Sequence, residues 1–61
     1  MTRTAIIKGY AKPGAVPPEF QVDYIMFPGG PLITAVYTAM GKRLPVQDHP
    51  RFRYWLIDHL N

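Results

Sequence analysis

The chain is poor in groups that do covalent chemistry. Its 61 residues include no Ser and no Cys, so the two commonest nucleophiles of acyl transfer are missing. Thr2 would become an N-terminal nucleophile if Met1 were removed. That chemistry also needs a base and an oxyanion site in a formed cleft, and a frayed terminus is the simpler reading. The carboxylates are Glu19, Asp23, Asp48 and Asp58. Each has a local structural explanation: Asp23 alternates with apolar strand residues, Asp48 precedes a helix, and Asp58 lies near that helix's end. The dipeptides Asp48-His49 and Asp58-His59 invite a catalytic reading. Helical neighbours, however, point about 100° apart and do not form a hydrogen-bonded dyad. No catalytic residue is assigned, and the sequence reads as non-enzymatic.

Ligand motifs are equally thin. Without Cys there is no disulfide and no thiolate zinc site, and the two histidines stand ten residues apart. No metal and no cofactor is expected. The PGGP run at 28–31 ahead of a helix would suit an anion at a helix N-terminus. Pro31 removes a donor there, though, and Gly41-Lys42 lacks the glycine five positions earlier that a Walker loop needs. A turn is the better reading of that run.

Those residues must be positioned by few elements. The length allows one small domain, 1–61, with a Pro-rich turn at 11–18 and a linker at 42–48. Residues 2–10 read as a strand, with Thr4, Ile6, Lys8 and Tyr10 on one face and Arg3, Ala5 and Ile7 on the other. Residues 19–27 read as a second strand. Phe20, Val22, Tyr24 and Met26 alternate with Gln21 and Asp23, but Ile25 and Phe27 break the alternation, which predicts burial on both faces at that end. Residues 31–40 carry a helical stripe, Leu32, Ala35, Val36 and Ala39, with Pro31 at the first turn and Gly41 at the left-handed stop. The β-branched Ile33, Thr34 and Val36 leave an extended alternative. Residues 49–60 read as a helix, with Pro50 in its first turn and Phe52, Trp55, Leu56 and Leu60 in one stripe. The expected fold is α+β, a β-hairpin followed by two short helices (ββαα).

Function must then come from surfaces. A domain this small supplies a core worth only about 3–5 kcal/mol, and a composition 48% hydrophobic but 18% charged favours burial against a partner. Two surfaces stand out. One is the aromatic-basic helix start, Arg51, Arg53, Tyr54 and Trp55 with Lys42 and Arg43 nearby, which has the residue types of interface hot spots. The other is the second strand, through Phe20, Tyr24 and Phe27. The leading expectation is a protein-binding or assembly module acting as a small subunit, an inhibitor or a homo-oligomer. The alternative is a nucleic-acid binder using Lys42, Arg43, Arg51, Arg53 and Trp55, although a net charge of +3 is modest for that role. Pro28, Gly29, Gly30 and Pro31 interrupt the longest uncharged stretch, and no secretory leader is legible, so a cytoplasmic protein without a membrane partner is expected.

Overall fold

The computed structural model describes the backbone of residues 1–61 and every side chain but that of Val46. Its elements are β1 (Arg3–Lys8), β2 (Glu19–Phe27), β3 (Gly30–Thr38), a 3₁₀ turn (Val46–Asp48) and α1 (His49–Leu60). The strands form one antiparallel sheet in the order β1-β2-β3. The α+β class stands, but the ββαα arrangement does not: there are three strands and one helix.

The segment 31–40 is where the expectation fails. Pro28 and Gly29 form a tight turn, so that Phe27 faces Gly30 and the chain returns along β2. Pro31 does not open a helix. It faces Met26 at the start of an edge strand, a position where a missing N–H is tolerated. The apparent helical period has a physical source. Asp23 faces Ala35 while Tyr24 faces Ile33, so Thr34 is an extra residue, a β-bulge. The bulge puts Ile33 and Val36, both buried, on the core face three positions apart, which imitates helical spacing. With β-branched or aromatic residues at 33, 34, 36, 37 and 38, the extended form prevails. Gly41 does take a positive φ, 87°, as a helix stop would require. It does so in the turn after β3, where its N–H donates to the Thr38 carbonyl.

The expected linker also has a structural part. The Thr38 N–H donates to the Lys42 carbonyl and the Leu44 N–H to the Val36 carbonyl, both at 2.8 Å. Residues 42–44 thus run back along the outer edge of β3. The helix, in contrast, spans the expected residues. Asp48 holds its N-cap position without a side-chain cap bond, its own N–H donating to the Pro45 carbonyl within the 3₁₀ turn.

One side of the sheet carries the core. Ile7, Val22, Tyr24, Ile33 and Val36 pack beneath Phe52 and Leu56 of α1, with Ala5, Phe20, Leu44 and Trp55 at the margin. Each fully buried large side chain contributes about 1.5–3 kcal/mol. The helix crosses the strands: its start, His49 and Pro50, lines a groove with Leu32 and Ile33 of β3, and its end, Asp58 and His59, lines one with Ile6 and Lys8 of β1. The opposite side of the sheet has no second layer. The double-sided burial expected at Ile25 and Phe27 is therefore absent within the chain: Ile25 is half-buried and Phe27 is 49% exposed.

Candidate partner-binding surfaces

Trp55 organises the first surface. Its ring stacks on Phe20 with centroids 5.8 Å apart and meets Phe52 edge-on at 5.2 Å. Tyr10, 74% exposed, stands edge-on to Trp55 at 5.5 Å. Gly9 makes this approach possible. A Cβ there would lie 3.1 Å from Pro18 Cγ and 3.2 Å from both Phe20 Cε2 and Trp55 Cη2. The Arg51 guanidinium lies 5.1 Å from the Phe52 centroid and 5.3 Å from that of Trp55, within cation–π range. Arg51, Trp55, Phe20 and Tyr10 form one basic-aromatic patch. The sequence reading missed Tyr10 as a site residue: extending the alternation of Thr4, Ile6 and Lys8 places it on the other side of the sheet, but β1 ends at Lys8 and Tyr10 turns to Trp55.

The remaining expected site residues scatter. Tyr24 is 5% exposed and belongs to the core. Arg53 points toward the β2–β3 turn, its Nε donating to the Pro31 carbonyl at 2.9 Å and its Nη2 to the Gly29 carbonyl at 3.1 Å. Its planar fork is thereby engaged with the backbone. Lys42 and Arg43 are exposed on the segment beside β3, where Arg43 bridges Tyr37. Tyr54 is 69% exposed, with no aromatic partner among the described residues.

The second surface is the open side of the sheet. Ile25 and Leu32 face each other across β2 and β3, and Phe27 follows Ile25 on the same side. Leu32 is 53% exposed. Ile6 lies further along that side, beside Gln21. Thr4 and Asp23 separate the apolar groups, the Thr4 hydroxyl donating to Asp23 Oδ1 at 2.9 Å.

Asp58 and His59 share a cavity of about 350 Å³ with Ile6, Lys8, Tyr10 and Trp55, beneath the C-terminal half of α1 and beside the β1 edge. No hydrogen bond joins the two among the described residues. Their position matters because they flank a strand edge. His49 stands a full helix away at about 1.5 Å per residue, so the two histidines do not converge on one ion. Among the described residues, no helix is long and apolar enough to cross a membrane. Searches against family models, curated proteins and solved structures found no match to the chain.

Proposed function

We propose that the chain is a non-catalytic protein-binding module whose partner covers the open side of the sheet. One observation carries this reading: Ile25, Phe27 and Leu32 adjoin one another on the sheet face opposite α1, with Phe27 and Leu32 about half exposed among the described residues. Single exposed apolar residues are ordinary, but adjoining ones rimmed by polar groups mark contact surfaces. Here Thr4, Gln21 and Asp23 supply the rim. The fitting partner is a protein with an apolar patch of its own, and the basic-aromatic patch at Arg51 and Trp55 offers a second anchor of hot-spot composition.

The test is capture from the source cell with a photo-crosslinker at Tyr37, comparing the parent chain with a Phe27→Asp, Leu32→Asp double variant. Circular dichroism first establishes that the variant is folded. A protein recovered with the parent and lost with the variant supports the reading, whereas recovery that ignores the double substitution refutes it. The nucleic-acid alternative loses weight because the Arg53 fork is engaged with backbone carbonyls, and it keeps its own check. Trp55 fluorescence should show no salt-sensitive change during oligonucleotide titration at low ionic strength.

A further inference from the structure

The two outer strands of the sheet differ sharply. Arg53 occupies one end of the β3 edge through the Gly29 and Pro31 carbonyls, and residues 42–44 occupy the other through Val36 and Thr38. Nothing comparable covers β1 among the described residues. The Gly9 N–H donates to the Pro18 carbonyl of the neighbouring segment. By antiparallel alternation, the backbone groups of Ile7, Ala5 and Arg3 then face β2, and those of Thr4, Ile6 and Lys8 face outward. This edge lacks two of the usual protections, since β1 contains no Pro and pairs with β2 without a bulge, and its charges, Arg3 and Lys8, stand only at its ends.

We infer that the outer edge of β1 pairs with β1 of a second copy of this chain, antiparallel and centred on Ile6, to give a continuous six-stranded sheet. The register follows from three constraints. Only outward-facing residues can exchange the new backbone bonds, so even positions must face even positions. Centring on Ile6 sets Ile6 against Ile6, Thr4 against Lys8 and Arg3 against Gly9, with no like charges opposed. It also sets the second copy's lysine beside a waiting carboxylate. Asp23 faces Thr4 across β1 and β2, and the Thr4 hydroxyl is its carboxylate's one partner among the described residues. A lysine opposite Thr4 lies about two strand spacings, roughly 10 Å, from Asp23, within reach of a four-carbon stem and a short carboxylate.

The helices permit this seam. The C-terminal half of α1 crosses β1 near Lys8 and Gly9. In the Ile6-centred register the second copy's Lys8 is level with Thr4, so four residues at about 3.4 Å each offset the two helices by about 14 Å along the strands. Packed helices need only about 8–10 Å between axes, so the two pass side by side above the joined sheet. The added strand enters beside the cavity bounded by Ile6, Trp55, Asp58 and His59.

Because the chain has no native thiol, single cysteines read the register directly. Facing residues of a hydrogen-bonded antiparallel pair have Cα atoms about 5.5 Å apart, within disulfide range. Ile6→Cys is expected to give a covalent dimer on mild oxidation. Thr4→Cys alone is expected not to, since its two copies stand about 14 Å apart along the strands. Mixing Thr4→Cys with Lys8→Cys restores the link. Sedimentation of the unmodified chain is expected to show a dimer. Thr4→Pro, which removes an outward N–H and the hydroxyl bond to Asp23 but no backbone bond to β2, and Ile6→Asp, which opposes two carboxylates, each weaken that dimer at least tenfold while circular dichroism is retained. A parent chain that is monomeric up to millimolar concentration overturns the seam. So does a dimer indifferent to both substitutions, or one in which Thr4→Cys links to itself as readily as Ile6→Cys. The seam stands apart from the open-face reading, because a monomer that still captures a partner through Phe27 and Leu32 removes the seam alone.

Discussion

Replacing Arg53 tests whether a residue that looks like a binding cation is instead a structural clasp. Its Nε donates to the part-buried Pro31 carbonyl at 2.9 Å and its Nη2 to the exposed Gly29 carbonyl at 3.1 Å. Hydrogen bonds from a charged group contribute about 1.5–3 kcal/mol each. Water competes for the exposed one, so the pair together amounts to about 2 kcal/mol. For a domain of this size each kcal/mol moves the melting temperature by about 4–8 °C. Arg53→Met keeps the aliphatic stem and removes every donor, and is expected to melt about 8–16 °C lower than the parent on the same scale. Arg53→Lys keeps the charge but not the fork, and recovers at most half of the loss. Thermal and urea unfolding followed by circular dichroism give both values. The reasoning fails if Arg53→Met lies within about 0.5 kcal/mol of the parent, the ordinary range of a surface substitution.

The other expectations concern the core and its aromatic margin. Phe52→Ala removes a ring that is fully buried, at a cost of about 3–5 kcal/mol. Against the roughly 3–9 kcal/mol total of a chain this long, the variant should lose most of its cooperative unfolding transition by 37 °C. Gly9→Ala drives a methyl against Pro18, Phe20 and Trp55; a loss of about 1–3 kcal/mol is expected in urea, together with a shifted Trp55 emission. An unchanged emission would show that the rings yield without strain. Tyr10→Ala should cost about 0.5–1.5 kcal/mol despite the exposure of Tyr10, because it removes an edge-on aromatic contact. A matching loss in the Trp55→Ala background would place the effect outside that contact.

The basic-aromatic patch shows how sequence proximity misleads about a site. Arg51, Arg53, Tyr54 and Trp55 are neighbours in the chain, yet a helix distributes them around its axis. Arg51 and Trp55, four apart, share a face with Phe20 of β2 and Tyr10 of the segment after β1. Arg53 faces the opposite end of the sheet and binds the backbone there. Tyr24 and Phe27 diverge for the strand equivalent of that reason: odd and even positions of β2 face opposite sides, one covered by α1 and the other open. The failed alternation at Ile25 and Phe27 was legible as a demand for cover on both faces. That so short a chain could leave one cover to a partner was legible too; which side is left open was not.

What the sequence determined alone is what local chemistry controls. The absence of Ser and Cys removes whole classes of nucleophile. The alternation in β1 and β2 set which residues share a face, and Pro50 with the stripe from Phe52 to Leu56 set the helix at 49–60. Tertiary structure decided the rest. Ile33 and Val36 stand at helical spacing, and only pairing against Tyr24 and Asp23, with Thr34 left over as a bulge, turns that spacing into a strand. Whether an edge is protected depends on side chains and segments distant in sequence. Arg53 and residues 42–44 hydrogen-bond the outer backbone of β3, no hydrogen bond is made to the outer backbone of β1 among the described residues, and no local pattern within 3–8 could have encoded that difference.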